Sequence, residues 1–298
     1  MEWVYIVLLA YLLQAVVFIF DSLLVNKHIK SAAAYAFFIS LLGLAAFLLA
    51  PFGFSLISPR IFTLSLVAGG AFTFGTLFLY RALQKHETSR VIPVVGGTAP
   101  LFSFLLASIL LPEQLSSREF FAFLALVAGT VLITYPFYKE HAHHMKPRII
   151  AEMLLSGLLF ALWATFSKRV FLETNFANGI IWIRIGAAIA GLLFLFSPAL
   201  RKEIFKKRTE KLRLGGAIIA NKTLGAGVGL LILYAIARGN PALVQALQGV
   251  QFVFLFGLVA ALSHYFPRVF REDLRPGLVA QKLGSSIIIA FGVALLLT

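Results

Sequence analysis

The sequence predicts an all-α membrane protein: ten transmembrane helices arranged as two inverted five-helix repeats. Three observations lead there. The chain is 60% hydrophobic and 13% charged, whereas a soluble domain holds about 45–50% apolar and 25% charged residues. Its apolar residues fall in ten continuous runs of about 20 residues, the length a helix needs to cross a bilayer core at 1.5 Å per residue. Two stretches about 150 residues apart also echo one another, the mark of an internally repeated transmembrane architecture.

The first run, 3–25, is apolar apart from Gln14, Asp21 and Ser22. Glu2 and the lack of a basic leader make it a span, not a cleaved signal. The second, 32–50, stops at Pro51, and the third, 61–83, closes on Arg81. The fourth, 91–111, contains Pro93, Gly96, Gly97 and Pro100; the fifth is 119–138. The sixth, 149–171, sets Lys168 and Arg169 near its end, and the seventh, 177–197, contains Arg184 and stops at Pro198. The eighth, 214–237, holds Lys222, the ninth, 241–263, holds Gln245 and Gln248, and the tenth is 279–297. Continuous apolar runs without alternation exclude a membrane β-barrel. The connecting segments are too short for a soluble catalytic domain. Cysteine is absent, which excludes thiol chemistry and disulfides.

The echo pairs "LFLYRALQKHETSRVIPVVGGTAPLFSFLLASILL" (77–111) with "LILYAIARGNPALVQALQGVQFVFLFGLVAAL" (231–262). Each is a span, a short polar turn and a span rich in small residues. The run ending at Pro51 likewise matches the run ending at Pro198. Residues 1–140 and 141–298 are then two copies of five spans. Five is odd, so the copies lie inverted in the bilayer, an architecture that transporters use with a site at the repeat interface.

A net charge of +14 could suggest nucleic acid, but the distribution excludes that reading. Connections after odd-numbered spans carry 18 Lys and Arg, those on the other side 5, and Arg81, Arg184 and Lys222 fall within spans. Such a split places the basic loops in the cytoplasm against anionic lipid. A multi-pass protein of the cytoplasmic membrane is expected, with both ends of this chain outside.

The stretches "ALWATFSK" (161–168), "WIRIGAAIAGLLFL" (182–195) and "SRVIPVVGGTAPLFSFLLASILLPEQLS" (89–116) resemble the EamA-type ten-helix transporters of the drug/metabolite transporter superfamily. "PEQLS" stands where that family usually has a Gly-Glu-Arg-Leu-type turn. The resemblance implies a central cavity lined by spans 1, 3, 4, 6, 8 and 9 and opened alternately to each side. It also implies cytoplasmic termini, against the charge count. The first half departs from the pattern, with "AVVFIFDS" (15–22) in place of a Trp…Lys signature.

The polar residues inside the spans are the candidate machinery. Aligning Pro51 with Pro198 sets Asp21 opposite Lys168, but inversion separates them by about 18 Å of a 30 Å core. Asp21 is expected to meet Lys222, about 12 Å deep from the basic face, or Arg81 on that same face. Gln14 extends its helical stripe inward. In the other half of the bilayer, Arg184 lies about 10 Å deep. Gln245 and Gln248 enter at i, i+3, and Trp163 and Trp182 stand at similar depths. Cations, amides and aromatic faces together suit an organic substrate with a carboxylate or phosphate. Lys168 has two readings. It can snorkel to the membrane edge, or end the stripe Gly157–Ala161–Ala164 as a cation near Arg184 and Gln245 that awaits an anion.

In the fourth span Pro93, Gly96, Gly97 and Pro100 mark a hinge, or close helix packing. "HAHH" (141–144) lacks an acid or thiol set for a metal, and no cofactor motif is present. No nucleotide loop or catalytic constellation appears, so an enzyme is not expected. The function expected is secondary export of a small organic metabolite, anionic or zwitterionic, such as an amino acid. The alternative is a flippase for an anionic lipid-linked headgroup. Asp21, His28 and His86 are candidates for proton coupling, and a monomer is expected.

Overall fold

The computed structural model describes residues 2–25, 31–85, 88–134, 147–206, 215–265 and 276–298. Side chains at 21–25, 88–90, 215–219, 264–265 and 276 lie outside the description. Among the described residues the chain is all-helical, and ten helices are long and apolar enough to cross a membrane.

The first spanning helix is α1 (Glu2–Val25). Next comes α2 (Ala32–Leu42), capped by Ser31, which accepts a hydrogen bond from the Ala34 amide at 2.9 Å. At Gly43 the winding tightens into a 3-10 stretch, Gly43–Phe52, and the two pieces together make the second span. Gly53 ends it with φ 120°, a left-handed backbone that suits glycine. Then follow α3 (Pro59–Lys85) and α4 (Thr88–Leu110). The start of α5 (Ser117–Thr134) is a capping box: the Glu119 carboxylate accepts from the Ser116 amide at 2.8 Å, and Ser116 Oγ from the Glu119 amide at 3.3 Å. Such reciprocal bonds satisfy amides that a helix start leaves open.

In the second half come α6 (Pro147–Glu173), α7 (Phe176–Leu193) and the short α8 (Pro198–Ile204). After them come α9 (Gly215–Arg238), α10 (Pro241–Ala246), α11 (Gln248–Tyr265) and α12 (Pro276–Leu297). Proline at the first position of α10 costs no hydrogen bond there, and Asn240 caps it by accepting from the Ala242 amide at 2.9 Å. The ninth span is therefore two helices, broken at Leu247, where the sequence suggested one. The Tyr11 hydroxyl of α1 donates to the Val244 carbonyl at 2.9 Å, beside that break.

Packing brings the halves together. Helix α1 lies against α9 and α11, α6 against α3 and α4, α2 against α7, and α5 against α12. A close backbone approach joins α3 to α7. A Cβ on Gly69 would overlap the Ile183 carbonyl oxygen and the Ala187 amide nitrogen, and one on Gly186 would overlap the Ser65 carbonyl oxygen. Leu48, Ile109 and Phe196 are exposed at 80% or more, which in these spans is a lipid-facing surface.

The expected small-residue stripe faces protein. Ala161 and Ala164 are wholly buried, and Gly157 lies against Thr98 and Ala99 of α4. The segment around Pro93, Gly96, Gly97 and Pro100 stays within one continuous helix. There a Cβ on Gly97 would lie 2.9 Å from Val131 and one on Gly96 3.8 Å from Thr130, so these glycines pack α4 onto α5.

Candidate functional site at Arg184

Arg184 of α7 lies among Gly43 of the second span, Phe72 of α3 and Gly229 of α9. Its stem passes Gly43, where α2 changes winding; a Cβ there would lie 3.0 Å from Arg184 Cδ. Its terminal nitrogen lies near Gly229 of α9, whose Cβ would be 3.7 Å away. The guanidinium stands 5.1 Å from the centre of the Phe72 ring on α3, a cation–π distance. No described residue gives Arg184 an ion pair or a hydrogen bond. At this depth in a membrane an unneutralised cation is costly.

Aromatic rings extend the site. Phe72 lies 5.6 Å from Trp163 and 6.4 Å from Phe160, both on α6. The Trp163 Nε1–H is buried and has no acceptor among the described residues. Gln14 and Gln248 are half-buried, and no described residue hydrogen-bonds their amides. They share a depth, since Tyr11 and Val244, joined by the hydroxyl bond, lie about one turn before each. Gln251, a turn further along α11, is 1% exposed with its Nε2 unbonded among the described residues.

Several expected site residues are engaged elsewhere. Lys168 is 2% exposed; its Nζ lies 3.4 Å from Glu113 Oε2 and donates to the Ala237 carbonyl at 3.2 Å. The expectation of a cation without an acid is therefore corrected, because the α4–α5 turn brings a carboxylate to it. Nor does Lys168 meet Glu173, whose partners are Arg60 at 3.4 Å and Arg169 at 4.0 Å. Gln245 donates to the Phe160 carbonyl at 2.9 Å, tying α10 to α6. Trp182 stacks on Phe54, meets Phe62 edge-on and donates to the Ser55 carbonyl at 3.0 Å. It anchors the 53–58 connection, away from the Arg184 rings.

Toward the basic face, Lys222 Nζ stands 5.8 Å from the centre of the Tyr35 ring, and Arg81 6.0 Å from that of Phe78. The expected pairing of Asp21 with Lys222 or Arg81 falls on an undescribed side chain, and His28, His86 and 141–144 also lie outside the described residues. Lys85 donates to both carboxylate oxygens of Glu152 at 2.9 Å, so one residue of the basic face serves an α3–α6 tie. Phe72, Phe160, Gly43 and Glu113 were not singled out from sequence. Among 30 phenylalanines, only the fold shows which ones flank a cation. Gln251 could have been found, since it repeats the Gln248 spacing.

Residues 1–135 match the model of the EamA-like transporter family. Residues 1–135 are an EamA-like transporter domain. A curated relative, "Riboflavin transporter ImpX" of Fusobacterium nucleatum subsp. nucleatum, is 31% identical over 119 residues. That match covers 36% of this chain and 37% of the relative, so it spans just over a third of the relative's length. A solved crystal structure of a protein aligns with a TM-score of 0.67 at 19% identity, covering 99% of this chain and 95% of that one. That shared fold runs through α6–α12, beyond the residues of the family match. The EamA-like domain supplies Gln14, Gly43 and Phe72; Trp163, Arg184 and Gly229 come from the remainder of the chain. The family's description and the relative's name are both those of transporters.

Proposed function

We propose that the chain is a secondary transporter that exports a small anionic or zwitterionic metabolite by alternating access between two inverted five-helix repeats. The observation that carries this reading is Arg184, a half-buried cation that no described residue neutralises. A substrate carboxylate supplies the missing charge, and its departure restores an unfavourable state that favours the next binding event. The reciprocal packing of α1 on α9 and α11, and of α6 on α3 and α4, supports the inverted repeats. Each half's first span lies on spans three and four of the other. The Gly96–Gly97 region between Pro93 and Pro100 is the proposed hinge of α4.

The test is efflux from proteoliposomes loaded with a mixture of amino acids, organic acids and riboflavin, followed by mass spectrometry. Protein-dependent loss of a negatively charged solute is expected, reduced at least about tenfold by Arg184→Gln. Unchanged efflux in that variant would remove Arg184 from the mechanism. Movement of an anionic lipid-linked headgroup, with no soluble solute lost, would favour a flippase.

A further inference from the structure

The Arg184 site is more elaborate than binding a small aliphatic anion requires. For acetate or a phosphate, a guanidinium with its planar fork free would suffice. Here the guanidinium lies on the Phe72 ring at 5.1 Å, and Phe72 is packed against Trp163 at 5.6 Å and Phe160 at 6.4 Å. Close by, the Trp163 Nε1–H is buried without an acceptor among the described residues. Resting on the transporter reading, the geometry points to an aromatic carboxylate as the cargo.

Three features set this class. With its guanidinium 5.1 Å from the Phe72 ring centre and no described residue bonding its N–H groups, Arg184 has its donors available for a carboxylate. Rings at 5–7 Å centroid spacing in tilted and edge-on arrangements accept a further ring in the same geometry, which a saturated ring of equal size cannot reproduce electrostatically. A buried N–H without an acceptor is unfavourable, and an oxygen on the cargo satisfies it. The groups come from α3 (Phe72), α6 (Phe160, Trp163) and α7 (Arg184). A cargo touching all of them joins three spans.

The chain has three tryptophans, so Trp3→Phe with Trp182→Phe leaves Trp163 as the only indole reporter. The full chain in lipid nanodiscs is titrated with phenylacetate, with cyclohexylacetate (equal size, no π system) and with phenethylamine (same ring, opposite charge). Calorimetry on the unsubstituted chain repeats each titration independently of the reporter. Phenylacetate is expected to change Trp163 emission saturably and to bind at least about tenfold more tightly than cyclohexylacetate. Phenethylamine is expected not to bind. Phe72→Leu should abolish the preference between the two acids, and Arg184→Gln should weaken both at least about tenfold. Equal affinity for the two acids would overturn the aromatic class while leaving the anion transporter standing, and so would failure of either acid to bind. The transporter reading fails separately, by the absence of protein-dependent efflux of any soluble solute from the loaded proteoliposomes.

Discussion

Lys168 Nζ lies 3.4 Å from the Glu113 carboxylate, and the two residues differ sharply in exposure: the lysine side chain is 3% exposed, the glutamate 53%. The pair joins the end of α6 to the α4–α5 turn, and the bond from Lys168 to Ala237 adds the end of α9. Lys168 is therefore the bolt, and Glu113 a solvent-screened partner.

Lys168→Ala is expected to destabilise the protein by about 1–3 kcal/mol, because it removes a charge-assisted bond to a partly buried carbonyl. Glu113→Gln should cost less than about 1 kcal/mol, given its exposure. Thermal unfolding in detergent measures both. A Lys168→Ala protein with wild-type melting and impaired efflux would instead return this lysine to the substrate path.

Trp163 and Trp182 should separate cleanly. Trp182→Phe keeps the ring contacts with Phe54 and Phe62 and loses only the bond to Ser55, so about 1 kcal/mol of stability should go and efflux should persist. Trp163→Phe removes a donor that has no acceptor among the described residues, so efflux should fall without a loss of melting temperature. The reverse pattern in the two variants would contradict both assignments.

The α3–α7 contact gives a packing prediction. Gly69→Ala and Gly186→Ala each force a methyl into backbone and should cost more than about 2 kcal/mol or abolish folding. Gly284→Ala meets nothing within 4 Å and should be neutral or stabilising by up to about 1 kcal/mol through helix propensity. Equal expression and melting for all three variants would show that the helices can separate freely.

The charge asymmetry predicts that Thr298 is outside the cytoplasm. Alkaline phosphatase fused after Thr298 should be active, and a fluorescent protein that matures only in the cytoplasm should be dark. Bright fluorescence there would reverse the orientation and leave the helix packing untouched.

Much of this fold was legible because apolar length is a local property. The ten runs needed only a count, and the stripe through Gly157, Ala161 and Ala164 needed only helical periodicity. Partnership is not local. Glu113 sits 55 residues before Lys168 in the chain, within a turn whose path nothing nearby dictates. Trp163 and Trp182 are expected from sequence at similar depths, and only the folded chain separates a ring beside Arg184 from a loop anchor. Gln245 and Gln248 shared a stripe on paper; the break at Leu247 gives the first to Phe160 and leaves the second unbonded among the described residues. The depth reckoning set Asp21 apart from Lys168, whose partners among the described residues are Glu113 and Ala237.

The tight winding of Gly43–Phe52 gives the second span a mechanical option. A 3-10 helix rises about 2.0 Å and turns 120° per residue, against 1.5 Å and 100° in an α-helix. Rewinding these 10 residues to α geometry would shorten the span by about 5 Å and rotate its far end by about 200°. Phe47 and Phe52, both exposed to lipid, would swing to the other side of the helix. The switch in winding begins at Gly43, against the stem of Arg184. A push on that arginine is therefore coupled to a screw whose thread runs to the membrane surface.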